Sequence, residues 1–248
     1  MQPPIDRQRA MIAGLKTIVP SWLWNPLGRR SRPLRKWYRE HRLRDYSQSG
    51  ETREIRKLLN KKRGEEGFFV ELGANDGVTL STTLGLLKDG WSGLAVEAHP
   101  AVFARLRENW LAFPKVKIVC AAVAPERGPI RLYLGKNDPR GMLSTISTDD
   151  SEWFRENRSE MFVEVEGVPL PELLAEHAVP RRPDLLLIDT EGMDYDLLLT
   201  LDFAQYRPKV VVTEDYPPKN AAKFRLLERA GYSFVKRVGC NTFWLDTV

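Results

Sequence analysis

Short apolar runs alternate along the chain with segments whose apolar residues recur every three or four positions, and this pattern predicts strands and helices in turn. Apolar runs predict strands at Phe68–Leu72, Leu94–Glu97, Val116–Val123, Ile130–Leu134, Phe162–Gly167, Leu185–Asp189, Val210–Glu214, Ser233–Val238 and Thr242–Leu245. Helical spacing predicts helices at Glu51–Lys62, Thr79–Lys88, Pro100–Trp110, Tyr195–Leu201 and Ala221–Ala230. A polar loop is predicted over Asn137–Asp150.

Strands that alternate with helices predict an α/β fold whose parallel sheet is covered on both faces. The last two predicted strands follow each other directly and close the chain with an antiparallel hairpin. Ile130–Leu134 is expected to pair in a separate hairpin with nearby backbone. In such a sheet, ligands bind beyond the carboxyl ends of the parallel strands. We therefore expect the functional residues at those strand ends.

The net charge of +5 is unevenly distributed along the chain. Residues 1–47 contain eleven Lys or Arg against three acidic residues, a net charge of +8, so the remaining 201 residues carry −3. We predict a basic N-terminal helical extension over residues 1–50 and a domain over residues 51–248. The extension could cap one edge of the sheet, lie on an anionic membrane surface or contact nucleic acid.

The cysteines and the lack of long apolar segments bear on the compartment. No run of about 18 apolar residues occurs, so the sequence predicts no membrane-spanning helix. The first residues lack a secretory pattern, because their apolar stretch is broken by Lys16 and followed by Pro20. Cys120 and Cys240 lie in or beside apolar runs and are predicted to be buried free thiols. These features predict a cytoplasmic protein, with peripheral membrane contact through residues 1–47 as an open alternative.

The turn after the first predicted strand has a ligand-binding pattern. The segment GANDG, residues 73–77, permits a tight turn and close backbone approach to a ligand. It is not the G-x-G-x-x-G of dinucleotide sites, because Asn75 and Val78 stand where the second and third glycines would. Glu71, just before the turn, would repel phosphate but suits the cationic amine or sulfonium of S-adenosylmethionine.

Carboxylates follow three further predicted strands. Glu97 ends the second strand, 24 residues after Gly73, where an acid can accept hydrogen bonds from ribose hydroxyls. Asp189 and Glu191 follow the fourth parallel strand, and Glu214 ends the fifth. Like charges gathered at one edge cost energy, so they imply a cationic ligand, a metal ion or a raised pKa that suits a general base.

Two chemical uses of these carboxylates stay open. One of them, or His99, could remove the proton of a hydroxyl acceptor during group transfer. Asp189, Glu191 and Glu214 could instead hold Mg²⁺ through oxygen ligands. We do not favour a metal, because no clearly spaced histidine or second motif accompanies them.

Three motifs together resemble the FkbM-type methyltransferases. They are FVELGANDG, AVEAHP with Asn109 further on, and LLLIDTEGMDYDLL, and the resemblance extends over about residues 66–246. It implies a class I methyltransferase fold, which is a Rossmann-like, doubly wound, mostly parallel seven-stranded sheet with a C-terminal antiparallel hairpin. It also implies S-adenosylmethionine as methyl donor and O-methylation of a hydroxyl on a sugar, glycan or secondary metabolite.

The resemblance gives roles to the candidate residues. By the resemblance, the cofactor is lined by Glu71, Gly73, Asn75, Gly77 and Glu97. The full predicted cofactor-binding set adds Ala74, Asp76, Ala121 and Asp189. The predicted catalytic residues are Asp189, Glu191 and Glu214, with Asp189 and Glu191 facing the methyl group and the acceptor. The loop segment Gly141–Thr145 is predicted to cover cofactor and acceptor.

Two other functions remain as alternatives. The basic extension and the segment Glu214–Pro218, EDYPP, suggest a nucleic-acid methyltransferase, although the residue order differs from the Asp/Asn-Pro-Pro-Tyr signature. The second alternative is a non-catalytic module that binds a membrane surface on a methyltransferase fold, since fold alone does not establish activity. The expected partner of the enzyme is a small-molecule or glycan acceptor.

Overall fold

The computed structural model of the protein describes residues 39–149, 151–215 and 220–248. Residues Asp45 to Val248 form one compact unit. Before this unit, the described residues form a short π-helix at Arg39–Leu43. Most of the predicted basic extension therefore lies outside the described residues, and its helices and its boundary with the domain stay predictions.

The described residues contain ten strands and seven α-helices. The strands are β1 (Phe68–Leu72), β2 (Ser92–Glu97), β3 (Val116–Cys120), β4 (Ala122–Val123), β5 (Gly128–Gly135), β6 (Arg158–Val168), β7 (Leu185–Ile188), β8 (Val210–Glu214), β9 (Tyr232–Val238) and β10 (Asn241–Asp246). The helices are α1 (Glu51–Leu58), α2 (Leu84–Leu87), α3 (Pro100–Asn109), α4 (Glu152–Asn157), α5 (Leu170–Glu176), α6 (Asp194–Thr200) and α7 (Asn220–Arg229).

Seven strands form the main sheet in the order β3-β2-β1-β7-β8-β10-β9. The first five of these run parallel to one another, and β10 pairs antiparallel with both β8 and β9. The prediction of a doubly wound, mostly parallel seven-stranded sheet with a C-terminal antiparallel hairpin is confirmed. The strand order reverses between β1 and β7, so the carboxyl ends of these two strands border the expected ligand crevice.

The main sheet is apolar on both faces because helices cover both sides. In β1, Val70 and Leu72 belong to one core, which also contains apolar residues of α5, α6 and α7. Phe69 belongs to the other core, which contains Ile55 of α1 and further apolar residues of α2 and α3. Buried parallel strands of this kind read as continuous apolar runs, which explains why they were visible in the sequence.

A second sheet, in the order β4-β6-β5, was only partly predicted. The segment Val116–Val123, predicted as one strand, divides into β3 and β4, because β3 pairs with β2 whereas β4 pairs with β6. β5 pairs antiparallel, but its partner is the eleven-residue β6, which follows the loop and α4, so the predicted hairpin with nearby backbone is not local. The sequence prediction missed α4 and α5, which are short and flank β6.

Two further predictions need correction. The predicted helix Thr79–Lys88 is helical only over Leu84–Leu87, because the preceding residues turn, with Leu80 at a φ of 55°. Cys120 and Cys240 are exposed rather than buried. Cys120 is the last residue of β3, and Cys240 lies in the turn between β9 and β10. None of the helices in the described part of the chain has the length and apolar character that crossing a bilayer requires.

Candidate active site

A cavity of about 1150 Å³, counted with its open mouth, lies at the carboxyl ends of β1, β2 and β7. Eight of the predicted site residues line it: Glu71, Gly73, Ala74, Asn75, Glu97, Ala121, Asp189 and Glu191. The predicted residues Asp76, Gly77 and Glu214 lie beside the cavity and are not among its lining residues.

The turn after β1 is anchored to the neighbouring strand by its backbone. The N–H groups of Gly73 and Ala74 both donate to the carbonyl of Val96 on β2, at 2.9 Å each. Gly73 has a φ of 89° and Asn75 a φ of 49°, so the chain turns sharply through the left-handed region. The turn therefore lies directly against the end of β2, where Glu97 is located.

Glu97 joins the first turn to the segment after β2. Its carboxylate accepts hydrogen bonds from the N–H of Asn75 at 2.9 Å and from the N–H of His99 at 2.7 Å. Burial raises the pKa of Glu97 to about 7, although these backbone hydrogen bonds oppose the rise. The carboxylate is thus fixed in place at the edge of the cavity, with lone pairs left for a ligand.

Glu71 is a buried acid within β1, only 4% exposed. Its carboxylate accepts a 2.7 Å hydrogen bond from the hydroxyl of Thr83, which precedes α2. Burial raises the pKa of Glu71 to about 8. The hydrogen bond from Thr83 lowers this pKa, and the nearby charge of Glu97 raises it further. An acid held this way is stabilised by a cationic ligand, because a positive charge favours its ionised form.

Asp76 and Gly77 stabilise the turn on the side that does not line the cavity. Asp76 accepts hydrogen bonds from the N–H groups of Val78 at 2.9 Å and Thr79 at 2.6 Å. Burial acts to raise the pKa of Asp76, but its hydrogen bonds with Thr79 and Val78 outweigh burial and lower it. Gly77 lies against Trp110, whose Nε1 donates to the Gly77 carbonyl at 2.9 Å. These contacts give both residues a supporting position, away from the cavity.

Three carboxylates meet at the ends of β7 and β8. Ligand oxygens of Asp189, Glu191 and Glu214 all lie within 4.8 Å of one another. Burial raises the pKa of Asp189 well above its usual range, and the charge of Glu214 raises it further. Burial also raises the pKa of Glu191 well above its usual range, and repulsion from the Asp189 charge is the next largest cause. Burial and the charge of Asp194 raise the pKa of Glu214 to about 7. Glu214 can therefore exchange protons near neutral pH, and Asp189 and Glu191 hold their protons more tightly than ordinary carboxylates do.

Asp194 and Lys223 hold this carboxylate group in position. Asp194 accepts hydrogen bonds from the N–H and the hydroxyl of Thr190 at 3.2 and 2.9 Å, and from the N–H of Glu214 at 2.9 Å. It thereby ties the end of β7 to the end of β8. Lys223 of α7 donates to the Glu214 carbonyl and supplies a positive charge near both acids.

The loop before α4 forms another wall of the cavity. Met142, Ser144 and Thr145 line it, and Thr145 donates its hydroxyl proton to the carbonyl of Glu191 at 2.8 Å. Asn75 Nδ2 reaches the carbonyl of Gly141 at 3.4 Å. The segment predicted as a cover thus contacts the first turn and the segment after β7.

His99 was the other candidate base. Its Nδ1 accepts the N–H of Ala101 at 3.2 Å, so the imidazole caps the start of α3. Burial lowers the pKa of His99, and the charge of Arg105 lowers it further. The ring is not among the groups that line the main cavity. These contacts favour a structural role for His99.

Several residues of the site were not visible in the sequence. Gln48, Glu51 and Asn241 line the cavity, although they come from the segment around the start of α1 and from the start of β10. Thr83 donates to the Glu71 carboxylate, and Lys223 donates to the Glu214 backbone carbonyl. An acidic residue at the first position of a helix, such as Glu51, is common at helix starts and by itself indicates no ligand site. No local pattern distinguishes these residues, because the tertiary fold brings them to the cavity.

The lining suits S-adenosylmethionine. Glu71 and Asp189 offer negative charge to an amine and a sulfonium, and Glu97 offers a carboxylate to ribose hydroxyls. Small apolar side chains at the ends of β3 and β2 can contact an adenine ring: Val96, Ala98, Ala121 and Ala122. The strand order and a cavity built in this way define a class I methyltransferase.

The family follows from the sequence. The chain belongs to the methyltransferase FkbM domain family, whose domain matches residues 71–234. The resemblance to FkbM-type methyltransferases is thus confirmed, and the family implies S-adenosylmethionine as methyl donor. No protein with a curated functional description matches the sequence.

Solved methyltransferase structures resemble the chain at low identity. The precorrin-6y C5,15-methyltransferase of Geobacter metallireducens is 14% identical, with 78% of this chain and 85% of that chain covered and a TM-score of 0.44. Fibrillarin of Aeropyrum pernix, with natively bound S-adenosyl-L-methionine, is 10% identical, with 79% and 76% covered and a TM-score of 0.43. The TehB-like SAM-dependent methyltransferase of Corynebacterium glutamicum is 13% identical, with 90% and 100% covered and a TM-score of 0.42. The fold assignment itself rests on the strand order.

Proposed function

We propose that the chain transfers a methyl group from S-adenosylmethionine to a hydroxyl of a sugar, glycan or secondary metabolite. The observation that carries this proposal is the carboxylate group of Asp189, Glu191 and Glu214, whose ligand oxygens lie within 4.8 Å of one another. A hydroxyl is a weak nucleophile until a base takes its proton. A carboxylate whose pKa is raised is a stronger base than an ordinary carboxylate, which suits that task.

The cofactor would lie along the ends of β1, β2 and β3. It supplies a methyl group made electrophilic by a sulfonium. Glu71 would face the methionyl amine, and Glu97 would accept hydrogen bonds from the ribose. The backbone of Gly73 allows close approach, and Ala121 would contact the adenine. Each of these groups lines the cavity in its present conformation.

Positioning and proton removal are the protein's part in the transfer. The acceptor oxygen bonds to the methyl carbon as the bond from that carbon to sulfur breaks, and sulfur keeps the electron pair. The hydroxyl proton passes to the carboxylate of Asp189 or Glu191. Alignment of the reacting atoms and exclusion of water supply most of the rate in such a displacement. Met142 and Thr145 on the loop before α4 would exclude water.

Binding of the cofactor product tests the first half of the proposal. We expect calorimetry to show binding of S-adenosylhomocysteine by the parent protein and its loss in Glu97→Ala. Glu108→Ala, which changes an exposed acid on α3, is the matched control and should bind as the parent does. A parent protein that binds no S-adenosylhomocysteine would contradict the proposal.

Labelled methyl transfer tests the second half. S-adenosylmethionine with a labelled methyl group, incubated with glycan and metabolite fractions, should yield label in base-stable methyl ethers. Asp189→Asn should lose about 10²–10⁴-fold in turnover at saturating S-adenosylmethionine, which is the usual contribution of a general base. Label found only in esters or methylamines would contradict hydroxyl methylation.

A Mg²⁺-dependent form of the same reaction is the second candidate. Three carboxylates with ligand oxygens within 4.8 Å of one another can hold a hard cation through oxygen ligands. A bound cation would orient the acceptor hydroxyl and lower its pKa. Turnover that is lost in EDTA and restored by Mg²⁺ would support this form, and turnover that is unchanged in EDTA would exclude it.

Nucleic-acid methylation and membrane-surface binding rest on the basic extension, most of which lies outside the described residues. Glu214 ends the fifth parallel strand, β8, whereas the signature that it resembles follows the fourth. Salt-sensitive RNA or DNA binding that survives deletion of residues 1–47 would favour a nucleic-acid substrate. Flotation with anionic liposomes of the full chain, but not of the shortened chain, would favour peripheral membrane contact and qualify the predicted cytoplasmic location.

A further inference from the structure

Leu80 has a strained backbone conformation and lines the cavity. Its φ of 55° lies in the left-handed region, which glycine and asparagine adopt with little strain but which a bulky residue rarely adopts. Asn75 and Glu191, which also line the cavity, have φ values of 49° and 50°. Strained residues of this kind cluster at active sites and ligand-binding sites. Of these three cavity residues, only Leu80 has an apolar side chain.

The folded protein does not bury the Leu80 side chain, which is 44% exposed. Leu80 belongs to none of the three apolar clusters that the described residues form. The polar residues on either side of it bond to the protein. The Thr79 hydroxyl donates to Asp76 at 2.7 Å, and the Ser81 hydroxyl accepts the N–H of Leu84 at 3.0 Å. The segment thus bonds its polar side chains to the protein and leaves its leucine accessible from the cavity.

Hydrogen bonds tie this segment to β1 and to α1. Thr83 donates to Glu71 of β1 at 2.7 Å, and the hydroxyl of Thr52 on α1 donates to the Thr82 carbonyl at 2.7 Å. Leu80 therefore belongs to the wall of the cavity beside β1 and α1, whereas the proposed adenine contacts lie at the ends of β2 and β3. This leaves two candidate contacts for Leu80, the methionyl group of the cofactor and the acceptor.

The chemistry of leucine favours the acceptor. The methionyl group ends in an amine and a carboxylate, to which an apolar side chain offers neither charge nor a hydrogen bond. An aliphatic group of the acceptor would instead gain about fourfold in affinity for each methylene that leaves water against Leu80. Val78, which is not among the lining residues, is also exposed, at 45%. Apolar surface is thus accessible beyond the lining as well, which suits an elongated aliphatic group.

We propose that Leu80 is a specificity-determining residue, which binds an aliphatic segment of the acceptor while the hydroxyl to be methylated lies at Asp189. The inference rests on the proposed function of hydroxyl methylation. Among the acceptors of that function it selects those that carry an aliphatic segment of several carbons, a requirement that a free sugar or a polar glycan does not meet. Removal of apolar surface from water in the complex offsets the strain and exposure of Leu80.

The test uses the full chain saturated with S-adenosylhomocysteine and straight-chain primary alcohols as probes. Ethanol, 1-butanol and 1-hexanol share one hydroxyl and differ only in the length of the aliphatic segment. Binding is measured by ligand-observed NMR titration. We expect 1-hexanol to bind the parent about tenfold more tightly than 1-butanol, because two further methylenes leave water.

Two substitutions remove the apolar side chain and keep the turn. Leu80→Asn retains nearly the same side-chain shape, Leu80→Gly removes the side chain, and both new residue types adopt a positive φ with little strain. We expect the preference for 1-hexanol over 1-butanol to fall below about threefold in both variants. The affinity for S-adenosylhomocysteine should stay within about threefold of the parent. The melting temperature should not fall, whereas it would fall if Leu80 had only a structural role.

Leu111→Asn is the matched control. Leu111 is 78% exposed and is not among the lining residues, so this variant should keep the parent's preference for 1-hexanol. Three results would overturn the role of Leu80. They are an unchanged preference in both Leu80 variants, a parent that binds none of the alcohols, and a tenfold loss of S-adenosylhomocysteine affinity in either Leu80 variant, which would assign Leu80 to the cofactor. Failure of the proposed function gives different results, because the parent then binds no S-adenosylhomocysteine, or shows Leu80-dependent alcohol binding without methylating any hydroxyl.

Discussion

Gly73 lies directly against the backbone carbonyl of Asp189, so that a β-carbon at position 73 would overlap that oxygen. The first turn and the segment after β7 are therefore in backbone contact where the strand order reverses. The same segment contains the proposed base, Asp189. The residue that turns the chain toward the cofactor thus also fixes its distance from the proposed catalytic carboxylate.

We predict that Gly73→Ala destabilises the protein by about 2–4 kcal/mol and abolishes S-adenosylhomocysteine binding, because both backbone strain and overlap must be relieved. Gly64→Ala separates these two causes. Gly64 has a similar φ of 84°, but no atom lies within 4 Å of the position that a β-carbon would take there, so only the strain of about 1 kcal/mol should remain. Urea unfolding and calorimetry measure both effects. Equal destabilisation in the two variants would show that the contact with Asp189 is unimportant.

Glu71 should reduce the stability of the cofactor-free protein above neutral pH. Its pKa is about 8 in the folded state against an ordinary value of 4.5, so the folded state holds the proton more tightly than the unfolded chain does. The raised pKa of Glu71 therefore stabilises the folded state fully below about pH 4.5, and this stabilisation is lost as the pH rises toward 8. We predict that Glu71→Gln stabilises the cofactor-free protein by roughly 1–4 kcal/mol at pH 8.5.

The same comparison at pH 4.5 is the internal control for this prediction. There Glu71 is protonated in the folded state, so Glu71→Gln should change the free energy of unfolding little. Glu108→Gln, at an exposed position of α3, should change it little at either pH. Glu71→Gln should also weaken S-adenosylhomocysteine binding, since the amide cannot balance a cationic amine. A variant that is less stable than the parent at pH 8.5 would contradict the burial argument.

The rate of methyl transfer should rise with pH. The proposed base acts only when it is ionised, and burial together with neighbouring charges raises the pKa values of Asp189 and Glu191. We predict that kcat/KM increases with pH over a range above the ordinary carboxylate pKa, with a slope of up to one when its logarithm is plotted against pH. Glu214→Gln should move this rise to lower pH, because Glu214 is the strongest charge that raises the pKa of Asp189. A profile that is flat over this range in the parent would argue against a carboxylate base.

Much of this site could be anticipated from sequence because it lies at strand ends. Buried parallel strands show as apolar runs, and the acids Glu71, Glu97 and Asp189 interrupt or end such runs at positions where a solvated surface residue would be unusual. Two of them were placed correctly at the carboxyl ends of β2 and β7, and Glu71 lies one residue before the end of β1. The predicted roles of these residues remain to be tested by the variants above.

The other parts of the site depend on packing that local pattern does not encode. The sequence pattern predicts that Thr83 lies in a helix. In the structure the chain turns at Leu80, and the Thr83 hydroxyl donates to Glu71. Asn241 opens a strand whose pattern shows only that one face is apolar, and its neighbour Glu214 becomes known only with the antiparallel register. Cys240 shows the opposite error, since it was predicted to be buried but lies in the exposed turn between β9 and β10.

A buried ion pair holds α1, the helix that begins with Glu51, against the rest of the domain. Arg56 of α1 and Asp89, which follows α2, are 7% and 5% exposed, with Arg56 Nη2 2.6 Å from Asp89 Oδ2. Arg56 Nε also donates to Asp89 at 2.8 Å, and Arg56 Nη2 donates to the Gly85 carbonyl at 2.9 Å. The pair therefore fixes the position of α1 relative to α2, and with it the placement of Glu51 in the cavity.

We predict that Asp89→Ala lowers the free energy of unfolding by about 3–5 kcal/mol, because it removes the buried carboxylate that pairs with the Arg56 guanidinium. The exposed pair between Lys115 and Glu66 is the matched control, with both side chains more than half exposed. Glu66→Ala should cost far less, since solvent screens such pairs. Urea unfolding of the two variants provides the comparison. Similar losses in both would mean that Arg56 finds a new partner, and the position of α1 would then depend on its apolar contacts through Ile55 instead.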